Sequence, residues 1–186
     1  HVFPDDKPFT VLISDIDDTI VKTFVTDKKK MIGAVLLKNG EQSEPVEGAA
    51  ACFQAAHVDG YLYVSASPEQ LHQRLHTFLT SHGFPAGAIL LKHFGKDATF
   101  DQKRYKIARI EPLLKAMANM RVILIGDTGE SDPESYAELA HTYPERVLRI
   151  VIKKTEHSDV TPARFTGMTL VDGPYPIDAC ATGPAR

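Results

Sequence analysis

The chain has 186 residues, enough for one domain with a sizeable buried core. Charged residues make up 24% of it and hydrophobic residues 43%, which is ordinary for a globular protein. The formal net charge of -3 argues against a general nucleic-acid-binding protein, because such proteins normally carry a basic excess. No apolar stretch reaches the roughly 18 residues that a membrane-spanning helix needs, so we predict no transmembrane segment.

The first residue and the cysteines leave two questions open. The chain begins with His1 rather than Met, which fits either a trimmed chain or a removed export signal, so no localisation is predicted. Cys52 and Cys180 lie far apart in the sequence and lack the spacing of metal ligands. Cys52 is most simply interpreted as a small buried hydrophobic residue on a helix, and whether the two cysteines pair stays open.

Five short apolar segments are predicted to form the strands of a mainly parallel sheet. Each is rich in Val, Ile and Leu and shows no clean alternation, as expected of strands that are buried on both faces. In chain order the segments are FTVLIS (9–14), YLYVS (61–65), AILLK (88–92), RVILIG (121–126) and VLRIVI (147–152).

Segments with helical periodicity separate these strands. Ser67 is predicted to cap a helix that has Pro68 at its first position, and Asp132 is predicted to open a later helix before Pro133. A helix between these two carries Pro112 in its interior, which removes one backbone hydrogen bond. The buried faces are expected to hold Leu71, Leu75, Phe78 and Leu79 in the first helix, Ile107, Ile110, Leu114 and Met117 in the second, and Tyr136, Leu139 and Ala140 in the third.

The alternation of strands and helices predicts right-handed crossovers and a three-layer α/β sandwich, a Rossmann-like architecture. Because no repeat or linker interrupts it, residues 1–186 are interpreted as a single domain. Residues 20–47 are the least regular part and are predicted to form a flap or loop after the first strand. The basic run Lys28, Lys29 and Lys30 in this segment is expected either to be solvated or to contact anionic lipid or substrate phosphate.

Polar residues with chemical potential lie close to the ends of the predicted strands, where ligands bind in folds of this kind. The first group is S-D-I-D-D-T at 14–19, and such an acidic cluster indicates a metal site because its carboxylates repel one another without a cation. The second is Ser65. The third is a lysine before the fourth strand, most simply Lys106, with Lys103 as the alternative. The fourth is G-D-T-G-E-S-D at 126–132.

In this order the four groups resemble the motifs of the haloacid dehalogenase superfamily, which are D-x-D-x-T, a strand-terminal Ser or Thr, a Lys and G-D-x-x-x-x-D. The resemblance implies a Mg2+-dependent phosphatase or phosphotransferase that forms a phosphorylated aspartate. Asp15 would attack phosphorus, and Asp17 would act as general acid and then as general base. Thr19 and Ser65 would bind phosphoryl oxygens, and Lys106 would supply a fixed positive charge.

The superfamily resemblance also implies a set of metal ligands. Mg2+ would be bound by Asp15, by the backbone carbonyl of Asp17 and by Asp127, with waters completing an octahedron. Asp132 would either cap its helix alone or, in addition, support the metal site. Glu130 is interpreted as a loop residue.

Longer strings resemble the catalytic domain of phosphatidate phosphatases of the actin-patch-associated type, over about residues 10–155. The family pattern K-x-x-x-I-x-x-L-L selects Lys106 rather than Lys103, and the chain departs from the family at Glu69, usually aromatic, and at Thr128, usually Ser. The resemblance implies removal of phosphate from phosphatidate or a related lipid phosphate. The matching strings are S-D-I-D-D-T-I (14–20), T-D-K-K-K-M-I (26–32), P-V-E-G (45–48), Y-V-S-A-S-P-E-Q-L (63–71), G-F-P-A-G (83–87), Y-K-I-A-R-I-E-P-L-L (105–114) and I-L-I-G-D-T-G-E-S-D-P-E-S-Y (123–136).

The spacing of the motifs bears on the substrate. Because 45 residues separate Thr19 from Ser65 and 40 separate Ser65 from Lys106, neither interval has room for a large cap domain. An open site suits a phosphate group presented at a membrane surface or on a macromolecule. Two alternatives remain, namely a phosphatase of a soluble phosphomonoester and, less favoured because the motif acids are all present, a phosphatidate-binding module without activity.

Overall fold

The computed structural model describes residues 7–22, 43–93, 102–156 and 158–181. Most of the segment predicted to be a flap lies outside these described residues, and so does the basic run from Lys28 to Lys30. In the described part of that segment, Val21 forms isolated β-bridges with Asp17 and with Pro45.

The described residues form six strands, namely β1 Phe9–Ser14, β2 Gly60–Pro68, β3 Ala88–Lys92, β4 Met120–Asp127, β5 Val147–Lys153 and β6 Thr169–Val171. The strands make one parallel sheet in the order β3-β2-β1-β4-β5-β6. In the middle of the sheet, Ile13 of β1 lies opposite Leu62 of β2 and Leu124 of β4. The five predicted strands are confirmed, with small differences at their ends.

Helices cover both faces of the sheet. In the described parts of the chain they are α1 Ala49–Gln54, α2 His72–Ser81, α3 Gln102–Ala116 and α4 Asp132–Thr142, with 3₁₀ turns at Glu69–Leu71 and Pro162–Phe165. Successive residues of a strand face opposite sides of its sheet. Leu12 therefore joins the core formed with α1 and α2, whereas Ile13 joins the core formed with α3 and α4. This confirms the three-layer sandwich, and the described ranges contain no large cap domain.

The described helices also bear on the membrane question. None of them is both long enough and apolar enough to cross a bilayer.

The predicted start of α2 is wrong. Strand β2 continues through Ser67 to Pro68, which pairs with Lys92 of β3, and α2 begins only at His72 after a 3₁₀ turn. The backbone N–H of Ser67 donates to Ser65 Oγ and the Ser67 hydroxyl donates to Asp17, so neither group caps a helix. The pairing with β3 and the hydrogen bonds of Ser67 thus outweigh the local capping signal.

The last strand was not predicted. β6 has three residues and pairs with β5 through Val151 and Thr169 at the edge of the sheet. A segment this short gives no periodicity to read, which is why the sequence pattern did not reveal it.

A disulfide joins Cys52 in α1 to Cys180 near the end of the described chain, with Cα atoms 5.5 Å apart. Cys52 is buried on its helix as predicted, and the question of pairing that the sequence left open is answered by this bond. Next to this bond, the backbone N–H of Tyr175 donates to Glu47 O at 2.9 Å. Gly48 has a φ of 78°, and a Cβ atom there would lie 2.5 Å from the Tyr175 carbonyl oxygen, so only glycine fits this close approach.

We expect the disulfide to contribute strongly to stability, because its two cysteines are 128 residues apart and closing so long a loop restricts the unfolded chain. Reduction should lower the free energy of unfolding by about 2–5 kcal/mol. Urea unfolding followed by circular dichroism, with and without reductant, measures the change. The double variant Cys52→Ala/Cys180→Ala is the control and should be insensitive to reductant. Equal stability of the wild type in both conditions would contradict the prediction.

Candidate active site

Buried polar residues converge at the carboxyl ends of β1, β2 and β4, where ligands bind in parallel α/β folds. Asp15 directly follows β1, and its backbone N–H donates to Ile125 O of β4 at 2.8 Å. Its neighbours in the site come from elements that are distant in sequence. The site residues that are fully or almost fully buried are Asp15, Thr19, Ser65, Lys106, Asp127 and Asp132.

Lys106, which lies on α3, forms ion pairs with three carboxylates of this acidic cluster. Its Nζ lies 2.8 Å from Asp15 Oδ1 and 3.1 Å from Glu130 Oε2, and it also contacts Asp132 Oδ1. Desolvation lowers the pKa of Lys106, but the neighbouring carboxylates outweigh it and hold that pKa well above its ordinary value. The amine therefore stays protonated.

Lys103, the alternative lysine, lies elsewhere. Its Nζ pairs with Glu138 at 2.7 Å, and both side chains are partly exposed, at 38% and 52%. Lys106 thus contacts the buried carboxylates, while Lys103 contacts α4 near the surface.

Asp15 has a partner on each carboxylate oxygen. Oδ1 contacts Lys106, and Oδ2 accepts a hydrogen bond from Thr19 Oγ1 at 3.2 Å. Burial raises the pKa of Asp15 well above its ordinary value, although the Lys106 charge acts in the opposite direction. A buried carboxylate held on both oxygens is fixed in orientation, which is what an attack on a substrate atom requires.

Asp17 is held by two serines of β2. Its Oδ2 accepts hydrogen bonds from Ser65 Oγ at 2.9 Å and from Ser67 Oγ at 3.2 Å. Burial and the nearby Glu130 charge raise the pKa of Asp17 to about 6, while the two serine hydrogen bonds act to lower it. Ser67 was predicted to cap a helix rather than to belong to the site, although the period of two along a strand puts it on the same face as Ser65.

A possible metal site lies beside Asp15. Asp15, Asp127 and Glu130 each offer a carboxylate oxygen within 4.8 Å of the others. Asp127 Oδ1 accepts from the backbone N–H groups of Gly129, at 2.5 Å, and Glu130, at 3.2 Å. Its Oδ2 is buried and has no hydrogen-bond partner among the residues that the structure describes. An unpaired buried oxygen in an all-carboxylate group fits a hard divalent cation.

The observed group shares Asp15 and Asp127 with the predicted ligand set and adds Glu130. Glu130, interpreted from sequence as a loop residue, contributes its carboxylate to the group. The carboxylate of Asp17 is turned to the serines and does not belong to it. The backbone carbonyl of Asp17 stays a predicted ligand. Nothing in the local sequence separates Glu130 from an ordinary loop acid, because its role depends on how the loop folds back.

Asp132 supports the cluster rather than acting as a helix cap alone. It is the first residue of α4, and Ser131 occupies the capping position without a side-chain hydrogen bond. The Asp132 carboxylate contacts Lys106 and accepts from the Asp127 backbone N–H at 3.2 Å. A Cβ atom on Gly126 would overlap this carboxylate, so glycine is required at the end of β4.

With this geometry in view, comparison with known proteins identifies the family. A family model described as the catalytic domain of phosphatidate phosphatase APP1 matches residues 10–154. The chain belongs to this family. The APP1 catalytic-domain family is the one that the motif strings resembled, so that expectation is confirmed.

Two curated relatives of this APP1-type domain extend the comparison. The chain is 35% identical over 156 residues to phosphatidate phosphatase APP1 of Saccharomyces cerevisiae, across 79% of this chain and 26% of that protein. It is 31% identical over 148 residues to an uncharacterised protein of Schizosaccharomyces pombe, across 76% of this chain and 24% of that protein. The chain thus spans about a quarter of the length of these relatives. No solved structure matches it.

The buried ion cluster of this APP1-type domain makes a stability prediction. Lys106→Met leaves carboxylates buried without their cation and should lower the free energy of unfolding by about 3–5 kcal/mol at pH 8. Lys103→Met, the matched control, removes a surface pair and should change it by less than about 1 kcal/mol. Chemical unfolding in the presence of chelator measures both.

The pH dependence follows from the raised pKa of the carboxylates. Without Lys106 they can take up protons as the pH falls, so the loss in Lys106→Met should be smaller at pH 5.5 than at pH 8. Equal losses for the two lysine variants would show that Lys106 is not the balancing charge.

Proposed function

We propose that this domain removes phosphate from phosphatidate or a related lipid phosphate, in a Mg2+-dependent reaction that forms a phosphoaspartate at Asp15. The observation that carries the proposal is the pairing of Lys106 Nζ with Asp15 Oδ1 at 2.8 Å beside an unpaired, buried oxygen of Asp127. Phosphoryl transfer needs a nucleophile and a positive charge in fixed positions, together with an anionic oxygen that can bind a cation.

In the first step, a carboxylate oxygen of Asp15 attacks phosphorus and the bond between phosphorus and the ester oxygen breaks. Asp17 gives its proton to the departing oxygen, so the alcohol leaves neutral. A carboxyl group with a pKa of about 6 is partly protonated near neutral pH and can serve in this way. Lys106 remains protonated and opposes the negative charge that gathers on the transferred group.

In the second step, Asp17 is ionised and accepts a proton from a water molecule. The water oxygen attacks phosphorus, the bond to Asp15 breaks, and inorganic phosphate leaves with the carboxylate of Asp15 restored. Thr19 and Ser65 would donate hydrogen bonds to the phosphoryl oxygens. Ser67, which already donates to Asp17, would keep that carboxyl group in place when Ser65 turns to the substrate.

Asp15, Asp127 and Glu130 are the residues that would hold the cation, together with the backbone carbonyl of Asp17. When bound, Mg2+ would neutralise the charge of the attacking carboxylate and of the phosphoryl group, so that two anions can approach each other. Oxygen-only ligands favour Mg2+ over softer metals.

The lipid substrate is supported by two observations. One curated relative carries the name phosphatidate phosphatase. The described residues include no large cap domain over the strand ends, which leaves the site open to a head group at a membrane surface.

Phosphate release from phosphatidate in mixed micelles, compared with a panel of soluble phosphomonoesters, tests the proposal. We expect kcat/KM to be highest for phosphatidate, chelator to abolish release from every substrate, and added Mg2+ to restore it. An Asp15→Ala preparation controls for contaminating phosphatases. Preference for a soluble ester would contradict the lipid assignment, and full activity after exhaustive chelation would contradict the metal assignment.

A further inference from the structure

Arg164 lies outside the residues that the family model matches, yet it contacts the loop that follows β4. It belongs to the 3₁₀ turn Pro162–Phe165 and is 17% exposed. Its Nη1 donates to Thr128 O at 2.7 Å, and its Nη2 donates to Glu130 O at 2.7 Å. The guanidinium group thus contacts the backbone on both sides of Gly129.

One peptide unit connects Arg164 to the possible metal site. The carbonyl of Thr128 and the N–H of Gly129 belong to the same planar peptide and point in opposite directions. The carbonyl accepts from Arg164, and the N–H donates to Asp127 Oδ1 at 2.5 Å. Because the peptide is planar, the hydrogen bond from Arg164 to the carbonyl also sets the direction of the N–H. That N–H holds Asp127 Oδ1, which leaves Oδ2 without a hydrogen-bond partner among the described residues.

The second carbonyl contact acts on Glu130. Glu130 carries the third carboxylate of the group. Because its backbone carbonyl accepts a hydrogen bond from Arg164, the backbone of Glu130 is held in place. The Glu130 N–H donates to Asp127 Oδ1 at 3.2 Å, so the two acids share one hydrogen-bonded turn.

The guanidinium group is itself oriented by α4. Glu134 accepts from Arg164 Nε at 2.5 Å and from Nη2 at 3.1 Å, and Asp159 O accepts from Nη1 at 3.1 Å. This two-point pairing matches the planar fork of arginine and fixes its rotation. A lysine would keep the charge but could not hold both carbonyls and the carboxylate in this geometry.

We propose that Arg164 is a positioning residue that sets the affinity of the site for its divalent cation by fixing the peptides that orient Asp127 and Glu130. The inference rests on the proposed function in one respect, namely that the group of Asp15, Asp127 and Glu130 holds such a cation. The inference also assigns to this site a positioning residue from the segment after residue 154.

Arg146 provides a matched control at the other end of the sheet. Its guanidinium group also donates to backbone carbonyls, those of Leu114 and Met117 at the end of α3 and of Met120 at the start of β4. A change of Arg146 to Lys loses the same kind of contact far from the carboxylates. The Arg146→Lys variant therefore shows how far a purely structural loss changes the affinity for the cation.

Isothermal titration calorimetry with Mg2+ and no substrate tests the inference. We expect Arg164→Lys to raise the Kd for Mg2+ about 10-fold or more, as is typical for residues that orient metal ligands. Glu134→Gln should raise it by a smaller factor, and Arg146→Lys should leave it within about 2-fold of wild type. At saturating Mg2+, kcat of Arg164→Lys should return most of the way to the wild-type value.

The outcomes separate the two proposals. Saturable Mg2+ binding by the wild type with an unchanged Kd in Arg164→Lys would overturn the inference while leaving the metal site intact. Equal weakening in Arg164→Lys and Arg146→Lys would also overturn it, because a general loss of stability would explain both. Absence of Mg2+ binding by the wild type would overturn the metal site and this inference with it.

Discussion

The protonated amine of Lys106, buried among carboxylates, is the interaction on which the arrangement of the site depends. Charges are removed from water at a high free-energy cost unless partners lie in contact with them. Lys106 meets that requirement for Asp15 after β1, for Glu130 in the loop after β4 and for Asp132 at the start of α4. Since Lys106 itself comes from α3, one amine ties four separate elements to the carboxyl edge of the sheet.

The single charge of Lys106 is fewer than the number of carboxylates that it contacts. Burial and mutual repulsion raise the pKa of Asp15 and of Asp127 well above ordinary values. A divalent cation beside the unpaired oxygen of Asp127 would favour the ionised forms again. The contacts of Arg164 with the loop after β4 fit the same requirement, because a cation site needs its carboxylates held at fixed positions before the ion arrives.

The buried strands could be predicted well from sequence, because parallel strands covered on both faces are continuous apolar runs. The segments at 9–14 and 88–92 match β1 and β3 residue for residue, although β3 lies at the edge of the sheet and is mostly half-buried. Predictions failed where distant contacts override local signals. Ser67 and Pro68 read as a helix start but belong to β2, because the strand pairs on to Lys92 and Ser67 bonds to Asp17. The part that Glu130 plays was missed and the Cys52–Cys180 pairing stayed open, because only the folded chain brings such partners together.

Phosphorylation of Asp15 is the central claim, and rapid acid quench with a radiolabelled aryl phosphate, followed by peptide mapping, tests it most directly. Label should be found on the peptide that contains Asp15 and should be absent from Asp15→Asn. Asp17→Asn keeps the nucleophile, so with a good leaving group it should still be labelled but should lose the label slowly for want of a base. Label on a serine or histidine, or undiminished labelling of Asp15→Asn, would contradict the mechanism.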